Sequence, residues 1–175
     1  MNAFPTRRAC EIEAQAAQHR WLIEPLWAEQ AVGILGGEPK SSKSMLALEL
    51  AVAVASGAPC LRRFPVTRPG LVLVFAGEDA LHLVRSRLEM IARASAVDFG
   101  RLDVHLITAP ALRIDIEEQR QRLSDTVAQL RPRLLVSGIC TPGKATLTNL
   151  PPQSVKTTTA IAGADILSTG RLPPV

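Results

Sequence analysis

A lysine and a hydroxyl residue at the spacing of a phosphate-binding loop are the first chemical signal in this sequence. The segment GGEPKSSKS, residues 36–44, places Gly37, Lys43 and Ser44 in the pattern G-x-x-x-x-G-K-[ST], but Ser42 replaces the second glycine. In such a loop, backbone N–H groups converge on phosphate oxygens, the lysine reaches the β- and γ-phosphates, and the hydroxyl binds Mg²⁺. The Cβ of Ser42 would cost about 1–2 kcal/mol if the backbone there needs a positive φ. The segment predicts either a strained phosphate-binding loop or a serine-rich turn that caps a helix.

The segments on both sides of the loop help to choose between these two interpretations. AVGILGG, residues 31–37, is a short aliphatic run that ends in glycines, which is typical of a buried strand leading into a tight loop. In SMLALELAVAVASG, residues 44–57, Leu46, Leu50 and Val54 recur at helical spacing, and a glycine follows as a plausible C-cap. A phosphate-binding loop needs a strand before it and a helix after it, because the helix N-terminus adds a favourable dipole. The context therefore favours the phosphate-binding interpretation.

The remaining sequence up to residue 136 alternates between aliphatic strands and amphipathic helices. Further strands are predicted at 70–79, 103–108 and 132–136, and helices at 80–95 and 114–130. This alternation predicts an α/β fold with parallel βαβ units and helices that cover the sheet. Since no convincing strand follows, the strand at 132–136 is expected at or near an edge of the sheet.

Composition agrees with this fold and narrows the classes of function. Apolar residues make up 47% of the 175 residues and aromatic residues only 3%, which suits buried strands of aliphatic side chains. The net charge of +4 permits contact with nucleic acid but is more typical of a solvated basic surface. Three cysteines and three histidines are dispersed, so no metal cluster is expected. The N-terminus lacks a signal peptide and no apolar stretch is long enough for a bilayer, so a cytoplasmic protein without membrane contact is expected.

Several segments resemble RecA-like AAA-family ATPases related to the plasmid RepA hexameric replicative helicases. The loop of that family typically reads G-x-P-K-x-G-K-S, to which GGEPKSSKS is similar. HRWLIEPLW resembles the family's lead-in, and RPGLVLVFAGEDALHLVRSRL resembles its second strand, acidic turn and arginine-bearing helix. The similarity continues through residues 102–136 and covers about 19–136 in all. It implies a P-loop NTPase with a RecA-like parallel sheet and flanking helices that binds ATP and Mg²⁺.

The resemblance also implies a set of site residues. Glu78, at the end of the second strand, would orient the attacking water or act as a general base, although an acidic residue there can simply begin the next helix. Asp79 is the weaker catalytic candidate and is expected to cap that helix. Ser44 would bind Mg²⁺, and Arg87 would stack on adenine unless it lies on a solvated helix face. The residues expected to contact ATP are Gly37, Glu38, Pro39, Lys40, Ser41, Ser42, Lys43, Ser44, Met45 and Arg87.

The resemblance stops abruptly after Val136. The family's strand should end here in an aspartate that holds Mg²⁺ through water, but Gly138 stands at the expected position. Residues 137–175 are rich in Thr, Pro, Ser and Gly, which predicts an irregular or disordered tail. We therefore interpret the chain as a polar segment (1–20), a partial ATP-binding domain (21–136) and a tail that a truncation or frame shift would explain.

Three hypotheses for function follow from these observations. The first is the ATP-binding domain of a DNA-replication, helicase-related ATPase with weakened or absent hydrolysis; the intact family would form homo-oligomeric rings on single-stranded DNA. The second is a regulatory nucleotide-binding protein without turnover, or an inactive remnant. The third is a P-loop small-molecule kinase, against which the GED turn and the lack of a recognisable lid argue.

Overall fold

The elements of the fold alternate between strands and helices, as predicted. The computed structural model describes residues 7–11, 21–36, 41–77, 79–110, 112–113, 115–139 and 157–162. The strands are β1 (Trp21–Ile23), β2 (Trp27–Ala28), β3 (Val32–Leu35), β4 (Val72–Ala76), β5 (Val104–Leu106), β6 (Leu134–Ile139) and β7 (Thr157–Ala162). The helices are α1 (Lys43–Ser56), α2 (Leu81–Ala94) and α3 (Glu117–Leu130), with short 3₁₀ helices at Ala9–Glu11 and Phe99–Arg101. The prediction of a mixed α/β fold is confirmed.

Five strands form the main sheet in the order β3-β7-β6-β4-β5. β4 pairs in parallel with both β5 and β6, whereas β7 pairs antiparallel with both β3 and β6. β3, β4, β5 and β6 therefore all run in one direction. Their carboxyl ends lie at one edge of the sheet, called here the carboxyl edge, and their amino ends lie at the opposite, amino edge.

One strand lies in the segment that the sequence assigned to an irregular tail. β7 occupies the position between β3 and β6 and forms backbone pairs with each of them. Its sequence, TTTAIA, contains the β-branched residues that strands favour, and its N–H and C=O groups pair with two strands that would otherwise present open edges. The prediction is therefore wrong for 157–162, and β6 is not an edge strand. Residues 140–156 and 163–175 lie outside the described residues.

Helices cover both faces of the sheet. Leu134 and Val136 of β6 belong to the larger core, which α1 and α2 fill. Leu135, which lies between them, packs instead against Leu123 and Val127 of α3 in a smaller core. This alternation follows the two-residue period of a strand, so even-numbered residues of β6 face α1 and odd-numbered residues face α3.

Two contacts fix the ends of the segment from β3 to α1, which carries the loop: one from β2 at its start and a glycine cap at its end. The ring of Trp27 lies on Gly33 of β3 so closely that a Cβ there would come within 2.3 Å of Trp27 Cη2. At the other end, Gly57 ends α1 with φ 78°, and its N–H donates to Ala53 O at 2.8 Å, as predicted for a C-cap. No helix among the described residues is long and apolar enough to cross a membrane.

Candidate functional site

The carboxyl edge brings three segments of the candidate site together. Leu35 of β3 and Gly138 of β6 both pair with Thr158 of β7, and Gly138 also pairs with Ala76 of β4. These four residues form one row across the sheet, in which neighbouring strands are about 4.8 Å apart. The loop after β3, the turn after β4 and the end of β6 therefore begin within about 15 Å of one another.

Ser42 has the backbone conformation of a glycine. It is the N-cap of α1 with φ 61° and ψ 21°, in the left-handed region, and its side chain makes no capping hydrogen bond. Its carbonyl accepts a hydrogen bond from Leu46 N–H at 3.0 Å, which begins the helix. The phosphate-loop pattern predicts this conformation because the motif places glycine at this position. The alternative interpretation, in which serine hydroxyls cap the helix, is not supported at Ser42.

Lys43, Ser44 and Met45 form the first turn of α1, where free N–H groups and the helix dipole favour an anion. Lys43 is half-buried, and its Nζ donates to Ser41 Oγ at 3.1 Å, so the ammonium group lies beside the residue that precedes the N-cap. Ser44 is exposed at the helix N-terminus. Met45 packs against the larger core, so only its backbone N–H is in a position to contact a ligand.

Part of the predicted site falls outside the described residues. Gly36, at the end of β3, and Ser41, before α1, border the first gap, while Gly77 and Asp79 border the second. The roles of the residues in these gaps stay predictions. They are Gly37, Glu38, Pro39, Lys40 and Glu78.

An ion pair ties the turn after β4 to α2. Arg87 Nη1 donates to Asp79 Oδ2 at 2.5 Å, and about a third of each side chain is exposed. The N-cap of α2 is Ala80, which makes no side-chain cap bond, so Asp79 is not the helix cap that was expected. The pair holds Asp79 against the helix. It also engages the Arg87 guanidinium in this conformation, and the adenine-stacking role of Arg87 stays a prediction.

Two glycines lie side by side at the ends of β4 and β6, and only one of them is sterically required. A Cβ on Gly77 would come within 2.9 Å of Phe75 Cε1 and 3.3 Å of Gly138 O. A Cβ on Gly138 would meet nothing closer than Phe75 O, at 3.5 Å, which is an ordinary contact. Because Gly138 is two residues beyond Val136, a side chain there would face α1. The position where an aspartate was expected thus has space for a Cβ and carries no side chain.

Comparison with known families decides the class of protein. A family model described as an AAA domain matches residues 3–136, which is well over half of the chain. The chain belongs to the AAA domain family. No curated protein and no solved structure matches the chain. Membership supports an AAA-type P-loop ATPase, while the closer relation to plasmid RepA helicases and a RecA-like fold stay predictions.

The described residues of this AAA domain offer Mg²⁺ a small set of ligands. Mg²⁺ prefers octahedral oxygen coordination and is usually bound through one or two carboxylates together with substrate phosphates. Ser44 supplies a hydroxyl at the helix N-terminus, whereas β6 supplies no carboxylate at Gly138. No group of three His, Cys, Asp or Glu side chains lies together in the part of the chain that the structure describes. This donor set fits a metal that arrives with the phosphates of a nucleotide.

The buried cysteine of the AAA domain is not a candidate nucleophile. Cys60 is fully buried in the larger core. Burial, with a smaller contribution from the Glu49 carboxylate, raises the pKa of its thiol to about 11. Because the thiolate is the reactive form, Cys60 stays protonated and unreactive near neutral pH.

Ser42→Gly is expected to stabilise the AAA domain by up to about 1.6 kcal/mol. Glycine removes about 1–2 kcal/mol of left-handed strain, while its extra freedom in the unfolded chain costs about 0.4–1 kcal/mol. Urea unfolding measures the difference. Ser44→Gly is the matched control: Ser44 lies in the first turn of α1 and does not have a positive φ, so the same change there should only lower stability. Loss of stability in both variants would contradict strain at Ser42.

Proposed function

We propose that this AAA domain binds ATP at the carboxyl edge of its sheet and hydrolyses it slowly or not at all. The observation that carries the proposal is the left-handed N-cap at Ser42, followed directly by Lys43 and Ser44 in the first turn of α1. In that arrangement backbone N–H groups, a cation and a hydroxyl would face a phosphate bound beyond the helix N-terminus.

Each group in the first turn of α1 has a distinct part in holding the triphosphate. Lys43 would leave Ser41 Oγ and donate to β- and γ-phosphate oxygens, where a hydrogen bond to a charged oxygen is stronger than the present one to a neutral hydroxyl. The N–H groups of Ser44 and Met45 would donate to the phosphates, and Ser44 Oγ would bind the accompanying Mg²⁺. Gly37, Glu38, Pro39 and Lys40 would complete the loop around the phosphates.

Hydrolysis needs more than the phosphate grip. A bound Mg²⁺ supplies charge stabilisation at the γ-phosphate, and a carboxylate has to orient the attacking water. Glu78 would orient that water; its neighbour Asp79 is paired with Arg87 of α2. Gly138 provides no carboxylate to fix the metal. We therefore infer that this chain binds ATP but hydrolyses it slowly or not at all.

Gly138 favours a second candidate function. An AAA domain that binds ATP without hydrolysing it would act as a nucleotide-dependent regulatory protein, with ATP as a stabilising ligand. The wider proposals rest on resemblance alone. These are a helicase-related role in DNA replication, a homo-oligomeric ring with single-stranded DNA as a partner, and a RecA-like fold.

Calorimetric titration of the full chain with ATP and Mg²⁺ tests the proposed function. One saturable site is expected, and ATP at about a hundred times its Kd should add about 2.7 kcal/mol of stability. For a chain of this size, that corresponds to a Tm rise of about 5–10 °C. Adenosine, which lacks phosphates, is the control and should give neither signal. Folded protein that gives no heat and no Tm shift with ATP would overturn the proposal.

A further inference from the structure

Exposed arginines collect at the amino edge of the sheet, opposite the nucleotide loop. The beginnings of three strands lie side by side there: Val72 N–H donates to Asp103 O at 2.9 Å, and Arg133 N–H donates to Leu71 O at 2.8 Å. The starts of β5, β4 and β6 therefore span about 10 Å. The exposed arginines at these strand starts and in the adjoining turn are Arg62, Arg63, Arg101, Arg131 and Arg133, called here the arginine edge.

A strained turn holds two of these arginines. Leu61 and Arg62 both have positive φ, 50° and 56°, which costs about 1–2 kcal/mol for each residue with a Cβ. Leu61 N–H donates to Glu49 Oε1 at 2.9 Å, and Arg62 Nη2 donates to Ala94 O at 3.3 Å. The second bond ties the turn to the end of α2, against which the 3₁₀ helix ending at Arg101 packs. Arg131, the C-cap of α3, also has a left-handed backbone conformation, so backbone strain occurs at more than one position along this edge. Strain that the surrounding contacts maintain is commonly found at functional positions.

Most described arginines outside the arginine edge have carboxylate partners, and Arg7, Arg8 and Arg85 are the described exceptions. Six arginines elsewhere in the described part of the chain form ion pairs with carboxylates; they are Arg68, Arg87, Arg93, Arg113, Arg120 and Arg122. Among the described residues, none of the five at the arginine edge forms such a pair. The carboxylates nearest in sequence are engaged otherwise: Asp98 accepts from Gly100 N–H at 2.9 Å and Asp103 contacts His105 Nε2 at 3.0 Å.

Helix capping accounts for only part of this cluster. Arg62 and Arg131 lie at the C-termini of α2 and α3, where a positive charge stabilises the helix dipole. Arg63, Arg101 and Arg133 have no such role. They remain as exposed cations at one edge of the protein, which favours an anionic partner.

We propose that the arginine edge binds the phosphate backbone of duplex nucleic acid. All five cations are arginines, whose planar fork matches phosphate better than the ammonium of lysine does. Single strands bind on exposed aromatic platforms, but Phe64 and Phe99 are half-buried, with Arg63 and Arg85 over their rings. A membrane would need several apolar anchors, and Leu61 is the exposed large apolar side chain that the strained turn provides. This inference does not depend on the nucleotide site, which lies at the other edge of the sheet.

Fluorescence anisotropy with a labelled 20-base-pair duplex and the full chain tests this inference. Arg101→Gln combined with Arg133→Gln should weaken duplex binding about tenfold at low salt. The double variant should also lower the slope of log affinity against log salt by about 2, since roughly one counterion is released per phosphate contact. The matched control is Arg120→Gln with Arg122→Gln on α3, which removes the same charge and should change affinity less than twofold.

Three other outcomes would count against the arginine edge as a duplex-binding site. Equal weakening by both double variants would indicate attraction by net charge alone. Tighter binding of a single strand of the same length, or binding of phosphatidylserine vesicles without duplex binding, would overturn the inference in favour of another partner.

Thermal unfolding confirms that the variants fold, and ATP titration of the same variants should be unchanged. Failure of ATP binding with intact duplex binding would remove the proposed function and leave this inference standing.

Discussion

Lys43→Ala is expected to lower the affinity for ATP about a hundredfold and to leave the affinity for AMP almost unchanged. The ammonium group lies next to Ser41 Oγ at the N-terminus of α1, from which it would reach the β- and γ-phosphates. Two charge-assisted hydrogen bonds at about 1.5 kcal/mol each amount to a hundredfold in Kd. AMP lacks both of those phosphates, so its binding reports whether the rest of the site is intact.

The measurement is calorimetric titration of the wild type and the variant with each nucleotide. The hydrogen bond from Lys43 to Ser41 is exposed, and alanine favours a helix, so the variant should unfold at nearly the same urea concentration. Arg122→Ala, which removes a cation from α3, is the charge control and should not change either affinity. Equal losses for ATP and AMP would show that Lys43 supports the fold of the loop and not the outer phosphates.

Gly138→Asp is expected to raise Mg²⁺-dependent phosphate release at least tenfold. The new side chain would face α1 at the carboxyl edge, in the same row of the sheet as the end of β3. Its Cβ has space, since the nearest atom is Phe75 O at 3.5 Å. A carboxylate there would fix the metal that the nucleotide brings, and a tenfold gain needs only about 1.4 kcal/mol of transition-state stabilisation.

The steady-state rate at saturating ATP is the quantity to compare. Ser137→Asp is the matched control, because Ser137 is adjacent but faces α3, so its carboxylate should give no gain. Adding Glu78→Gln to Gly138→Asp should remove the gain if Glu78 orients the attacking water. No increase in turnover for Gly138→Asp, with ATP binding intact, would show that the missing carboxylate is not what limits hydrolysis.

Local patterns in the sequence predicted the parts of the fold that depend on local physics. Aliphatic runs located β3, β4, β5 and β6, helical periodicity located the three helices, and the loop motif anticipated the strain at Ser42. β7 was missed because TTTAIA has no apolar period of its own and is specified by the open edges of two distant strands. Asp79 was misassigned as a cap because its partner, Arg87, lies two turns along α2.

The two candidate sites also differ in how far apart their residues lie in the sequence. The nucleotide loop could be predicted because its chemistry lies within nine consecutive residues. The arginine edge could not, because Arg62, Arg101 and Arg133 are far apart in sequence and form no basic run. They come to one edge only because parallel strands begin together there, which the sequence does not state directly.

The position of β7 also has a consequence for how the chain folds. Val32 pairs with Ile161, so the sheet is joined across most of the chain's length, and such long-range pairing is slow to form. During synthesis, β3 emerges early and has to wait for β7, with Val32 and Ile34 facing solvent even in the finished protein. A nascent chain in this interval presents an unpaired apolar strand, the species on which chaperones act and from which aggregates grow.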